Sequence, residues 1–301
     1  MIQAVTVTNY IGESKRFVLP KPALSGFALF RMEGLGPPKA TINTVESVTL
    51  DGSSFNSSRA QQRNIVLSLM FLPTPLIEDA RHESYKYFPI KQRVKLLVET
   101  DRRTVETYGY VESNEVDIFS SVETTQISII CPDPYFYSEG YSSTVFYGIE
   151  PGFEFIFSNE SLTEPLIEFG YIRNMTEATV WYEGDAETGV IITIHAIGDA
   201  KNVTVYNVQT REQMRIDTAK LEKLTGKGLV SGDDIIIDTI RGEKSIRLLR
   251  GGVYYNILNC IDKGSDWFSL RKGDNIFTYV ADDGIDNLQF KIENRTVYEG
   301  V

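Results

Sequence analysis

Cys131-Pro132-Asp133-Pro134-Tyr135-Phe136-Tyr137-Ser138 divides this chain of 301 residues into two runs of strands. Proline has no N–H to give a ladder, and the residue before it is pushed into an extended shape, so Pro132 and Pro134 end the strand before them. Three aromatics follow at once. A stiff, extended, aromatic connector is expected to dock two domains rather than tether them loosely. The division predicts an N-terminal domain over 1–135 and a C-terminal domain over 136–301, each long enough for a core of its own.

On both sides of the connector the hydrophobic period is two. Ile65, Leu67, Leu69 and Phe71 face one way; Val94, Leu96 and Val98 alternate with Arg93, Lys95 and Glu99; Ile127, Ile129 and Cys131 alternate with Gln126 and Ser128. Farther on, Leu288, Phe290 and Ile292 alternate with Gln289, Lys291 and Glu293. Such alternation marks strands with one face in a core and one in water. Gly184-Asp185, Gly232-Asp233, Gly251-Gly252, Gly273-Asp274 and Asp283-Gly284 punctuate the second half at sandwich spacing, and Gly251-Gly252 reads as a tight hairpin turn. One helix is predicted from about Pro75 to Phe88. Thr74 is its expected N-cap, and Ile77, Ala80, Ser84, Tyr85 and Phe88 form its expected apolar face. A shorter helical run spans Ala219 to Leu224. The stretch 94–112 reads as two strands around the polar tip Asp101-Arg102-Arg103. It is either an arm reaching beyond its domain or an edge hairpin wetted on both sides. The fold class is mostly β.

Composition narrows the function. Hydrophobic residues make up 42% and charged residues 24%, as in an ordinary folded protein. A net charge of −11 argues against wrapping nucleic acid or binding an anionic membrane; it does not exclude a channel through which DNA slides without sticking, where an acidic wall would help by repulsion. Two cysteines in a chain this long are not a disulfide framework, and Cys131 reads as a core thiol. The N-terminal stretch lacks the apolar region of a signal peptide, and no apolar run is long enough to span a bilayer.

Catalytic patterns fail one by one. His82-Glu83-Ser84-Tyr85-Lys86 begins like a zinc-protease helix but has lysine at the second ligand. His195 lies in an apolar strand and reads as a packed or hydrogen-bonded residue. Gly34-Leu35-Gly36-Pro37-Pro38 starts like a dinucleotide loop, but prolines replace its helix. Gly226-Lys227-Gly228 lacks the rest of a phosphate loop. Asp282, Asp283 and Asp286 have the wrong spacing for an EF-hand and read as a solvated turn. Forty-one acidic residues give no reason to single out a glycosidase pair. No catalytic residue, cofactor or metal site is expected, and the chain reads as an assembly or binding protein.

Met32-Glu33-Gly34-Leu35-Gly36-Pro37-Pro38-Lys39-Ala40, Asp51-Gly52, Arg63-Asn64-Ile65-Val66-Leu67, the helix with Glu78 and Arg81, Val98-Glu99-Thr100-Asp101, Gly109-Tyr110-Val111-Glu112 and Cys131–Phe136 resemble, in that order, the siphovirus distal tail proteins. The second half, through Gly232–Thr239, Gly242–Ile246, Ser265–Leu270 and Gly273-Asp274-Asn275, resembles the galectin-like β-sandwich that closes many of them. Trp267 is expected to be a core residue of a strand there. The sugar-contacting cluster of galectins is not recognisable.

The resemblance implies an α+β N-terminal domain, sandwich- or barrel-like, with one helix and a hairpin arm, and a C-terminal sandwich or jelly roll. It implies a structural virion protein at the tail tip, or baseplate hub, made in the host cytoplasm. Six copies would form a ring around a DNA channel, with DNA only as passing cargo. The ring would join the tail tube protein to the tail-associated fibre or lysin protein, and receptor-binding proteins would attach outside it. Asp101, Arg102, Arg103, Tyr108 and Tyr110 are the candidate contacts to a neighbouring copy. Two other readings are a carbohydrate-binding adhesion module, with Tyr254, Tyr255 or Trp181 as its platform, and a component of a phage-tail-like bacteriocin or prophage.

Overall fold

The computed structural model describes residues 1–46, 51–73, 76–151 and 170–301. Two compact units emerge. One is Met1–Gly140 together with Val297–Val301, and the other is Tyr141–Thr296. The chain thus leaves the first unit after Gly140, five residues beyond the division placed at 135, and its last five residues return there.

In the first unit the strands are β1 (Ile2–Thr8), β2 (Ser14–Val18), β3 (Phe27–Glu33), β4 (Ala40–Glu46), β5 (Ser53–Ala60), β6 (Arg63–Phe71), β7 (Arg93–Thr100), β8 (Thr104–Asp117), β9 (Thr124–Cys131) and β10 (Phe136–Ser138). The main sheet runs β2-β1-β7-β8-β9-β6-β3, all antiparallel, with β10 pairing both β8 and the returning Val297–Tyr298. The period-two residues fall in register. Val5 faces Val98, Ile65 faces Ile129 and Leu67 faces Ile127, and all six are fully buried. Among the described residues no ladder joins the sheet's ends. Phe17 of β2 and Phe27 of β3 meet edge to face at 5.5 Å, so the sheet curls towards a barrel and stays open.

Helix α1 (Ile77–Tyr87) covers this core. Thr74 and Pro75, expected to start it, lie outside the described residues. The Asp79 carboxylate accepts the Leu76 N–H at 3.3 Å and closes the first turn. The buried face is Ala80, Ser84, Tyr87 and then Phe88, which stacks on Phe17 at 6.2 Å. Ile77 and Tyr85, expected on that face, are 37% and 46% exposed. The helix is turned so that the ring of Tyr87 goes inward in their place.

The second unit has β11 (Ser142–Val145), β12 (Tyr147–Pro151), β13 (Gly170–Asn174), β14 (Glu177–Tyr182), β15 (Ile191–Ala196), β16 (Val203–Asn207), β17 (Glu212–Ile216), β18 (Asp234–Asp238), β19 (Ser245–Arg250), β20 (Val253–Asn256), β21 (Gly273–Val280) and β22 (Leu288–Asn294). A six-stranded sheet, β11-β22-β15-β18-β19-β20, packs on a four-stranded one, β14-β21-β16-β17. Ile192, Ile194, Ile235, Ile237 and Phe290 of the first meet Val205, Met214, Phe277 and Tyr279 of the second, with Tyr279 stacked on Phe290 at 3.6 Å. This is a β-sandwich. Trp267, expected inside a strand, lies in an irregular stretch and is only partly buried; its neighbour Phe268 fills the core.

Helix α2 (Thr218–Thr225) begins at Asp217, whose carboxylate accepts the Ala219 and Lys220 N–H groups at 2.9 and 3.1 Å, and ends at left-handed Gly226. Gly226-Lys227-Gly228 is therefore a helix stop. Asp217→Ala should cost the second unit about 1 kcal/mol, read as a lower melting temperature with the fold retained.

Asp238 is buried and its carboxylate accepts the Ile240 N–H at 2.9 Å. Burial, helped by Glu243, pushes its pKa up. Its folded pKa exceeds the unfolded one, so the ionised group disfavours the fold at neutral pH, and the penalty fades as pH falls through the carboxylate range. Asp238→Asn keeps an acceptor and sheds the charge. Thermal melts should show a gain in stability at pH 7 that shrinks towards pH 4.

Candidate assembly interface

The hairpin β7–β8 is neither an arm nor an edge. Each strand is paired on both sides within the main sheet. The tip is tied to its own unit. Asp101 accepts from the Met1 ammonium and the Gln3 amide, which hold its carboxyl below the ordinary range. The Arg103 guanidinium lies over the Tyr298 ring at 4.4 Å and donates to the Gly300 carbonyl at 3.0 Å. The Tyr108 ring is covered by Arg93 at 4.3 Å. Of the five residues, Arg102 and Tyr110 are exposed with no such clasp.

The feature that does stand out from the first unit is β4–β5. These strands pair with each other and with no other strand among the described residues. Every residue of β5 is exposed, and every residue of β4 except Thr41, which is half-buried. Ile42 and Phe55 share one face of this ribbon at 64% and 67% exposure. A lone two-stranded ribbon is marginal in water. Apolar side chains displayed on one are therefore suited to covering by another surface.

The ribbon is rooted with care. The chain enters it through Gly34-Leu35-Gly36 and leaves it at Arg63. Gln61 N–H donates to the Lys39 carbonyl at 2.7 Å and closes the base. Arg63, only 4% exposed, donates to the carbonyls of Gly34, Gly36 (2.5 Å), Pro134 (2.7 Å) and Glu299 (2.6 Å), with its guanidinium 4.4 Å from the Phe136 ring centre. Burial lowers its pKa, but an arginine stays charged and its planar fork suits four acceptors. One side chain thus joins both roots of the ribbon, the Pro-rich connector and the returning C-terminal residues. Gly34 sits at φ +82°, and a Cβ there would meet the Asn64 carbonyl oxygen at 2.1 Å. The motif that starts like a dinucleotide loop is the cradle for this arginine.

The possible chemical groups fall into structural roles. His195 Nδ1 lies 2.6 Å from Asp234 on the open face of the six-stranded sheet, and this is its hydrogen bond among the described residues. Asp282 is held by Arg215 at 2.7 Å and by Asn202 at 2.9 Å, and Asp283 by Lys201 at 3.3 Å. Buried Asp233 is clasped by Arg250 at 2.5 Å. The thiol of Cys131 is buried and pushed up to about 11. Among the described residues no cluster suits a metal ion, and no helix is long and apolar enough to cross a membrane.

The comparisons agree with this reading of the fold. Residues 183–295 match the family model of the siphovirus-type tail component, C-terminal domain. The whole chain shares its fold with the SPP1 Dit (gp 19.1) protein, described as a paradigm of the hub adsorption apparatus in phages that infect Gram-positive bacteria. The TM-score is 0.66 at 10% identity, over 97% of this chain and 98% of that one. Chains of the phage p2 baseplate in its activated conformation align over similar lengths at 12% identity, with TM-scores of 0.47 with strontium and 0.46 with calcium. No curated protein matches in sequence.

Proposed function

We propose that this chain is the distal tail, or baseplate hub, protein of a long-tailed phage. Copies close into a ring, six by the family resemblance, around a channel for DNA. The ring joins the tail tube to the tail-tip fibre and the receptor-binding apparatus. What carries this reading is the end-to-end likeness to the SPP1 hub protein together with the tail-component match in the second unit.

The physical features favour it. A head-to-tail contact closes into a ring when its rotation divides the circle. The β4–β5 ribbon, with Ile42 and Phe55 uncovered, suits reaching a neighbour, and exposed Arg102 and Tyr110 remain candidates beside it. A net charge of −11 suits a lumen that must not hold DNA. The aromatics of the sugar-binding reading make no single platform. Trp181 lies on β14 of one sheet, whereas Tyr254 and Tyr255 are consecutive on β20 of the other and point to opposite faces. Electron microscopy of the purified protein, alone and mixed with a tail tube protein, tests the proposal: rings that cap tube ends are expected, and scattered single particles in both samples refute it.

A further inference from the structure

β20 is a sheet edge that no other strand among the described residues pairs with, in a protein that closes others. At β2, Lys15 and Arg16 are paired with Glu83 and Glu99. At β3 the register shifts between Leu29 and Arg31, and Arg31 pairs with Glu33. At β17 the loop 262–266 covers the edge, its Asp262 and Asp266 N–H groups donating to Arg215 and Gln213. Charges, bulges and covering loops are the usual ways to stop an edge from recruiting a strand. β20 reads Val-Tyr-Tyr-Asn, with no charge and no proline, and all four residues are exposed.

Its hydrogen-bonding groups face outward in a defined pattern. Gly251 and Gly252, at φ +56° and +80°, make the two-residue turn, so Arg250 and Val253 are a hydrogen-bonded pair. Pairs alternate along an antiparallel ladder, which makes Leu249–Tyr254 and Arg247–Asn256 the non-bonded ones. The backbone N–H and C=O of Tyr254 and Asn256 therefore point away from β19, towards the edge that no described strand pairs with.

Charge indicates the occupant. In a chain of net charge −11, residues 241–250 hold Arg241, Lys244, Arg247 and Arg250 and one acid, Glu243. Arg250 is committed to Asp233. The other three cations are exposed and, among the described residues, in no ion pair; Arg247 lies over the Tyr254 ring at 5.6 Å. A strand added beside β20 would lie about 9.6 Å from β19, within the joint reach of an arginine and a glutamate. Pairing two copies through four-residue strands would bury far less than the ~1,000 Å² that a stable interface needs.

We propose that β20 is a docking edge for an extended, acidic segment of a partner protein, which adds as a seventh strand and sets its carboxylates against Arg247. This inference does not rest on the ring reading. The test titrates the full chain with a labelled ten-residue peptide of alternating valine and glutamate. Its lysine counterpart and a glutamate version N-methylated at alternate residues serve as comparisons. The glutamate peptide should bind saturably, the lysine peptide about tenfold more weakly, and the methylated one not at all. Tyr254→Pro removes an outward N–H without touching a β19 bond and should weaken binding about tenfold. Arg247→Glu, a surface change that leaves the edge intact, should reverse the charge preference. Lack of saturable binding, equal binding of the methylated peptide, or a preference unmoved by Arg247→Glu overturns the proposal. So does a dimer of the chain that Tyr254→Pro dissolves, because it would assign the edge to a second copy.

Discussion

Ile42→Glu with Phe55→Glu should leave a folded monomer. Both side chains are more than 60% exposed on a ribbon that pairs with no other strand among the described residues, so neither contributes to a core. Their replacement should shift the melting temperature little. In a ring each copy uses the ribbon once and receives a neighbour's once, so every contact in the circle loses two apolar anchors and gains two buried charges. Truncating a central anchor commonly costs about 2 kcal/mol or more, and an unpaired buried carboxylate adds to that. The contact should weaken by about a thousandfold or more. Light scattering at matched concentrations would show one 34.0 kDa species for the variant where the parent shows the assembly. An unchanged assembly would remove the ribbon from the interface and return the question to Arg102 and Tyr110.

Arg63→Ala should be the most damaging single change in the first unit. It strips the donors from four carbonyls, those of Gly34, Gly36, Pro134 and Glu299, in a spot where the side chain is 4% exposed. Four carbonyls deprived of a charged donor, together with the cavity left by the buried guanidinium and its lost stacking on Phe136, should cost about 3–5 kcal/mol. For a unit of this size that is a fall of roughly 10 °C in its melting temperature. Arg63→Lys should recover only part of the loss, because one ammonium cannot reach four carbonyls spread around a planar fork. Calorimetry should show the drop in the first unit's transition and leave the second unit's in place. A loss of under about 1 kcal/mol would mean that water replaces the guanidinium and that the four segments are held by other contacts.

The β architecture was legible because core strands leave a period-two trace. Val94–Val98, Ile127–Cys131 and Leu288–Ile292 all took their expected faces. The tandem glycines made the expected hairpin, since two left-handed residues in a row have few other uses. The ribbon was not legible. A strand with no core beneath it has no reason to alternate, and Ser53-Ser54-Phe55-Asn56-Ser57-Ser58-Arg59-Ala60 sets one large apolar residue, Phe55, among small and polar ones. The hairpin β7–β8 was misjudged for the converse reason. Polar residues such as Glu106 and Thr107 are buried there, Glu106 against Lys95 at 2.6 Å, so a central strand looked like a wet one. Arg63 carried no signal in one dimension, because its four acceptors come from three separate stretches of chain.

The mass of the purified protein in solution, at concentrations raised well above those of routine chromatography, tests the hub assignment most directly. A closed assembly near six times 34.0 kDa is the predicted result. A single 34.0 kDa species at every concentration, which also fails to join tail tube proteins, would contradict it.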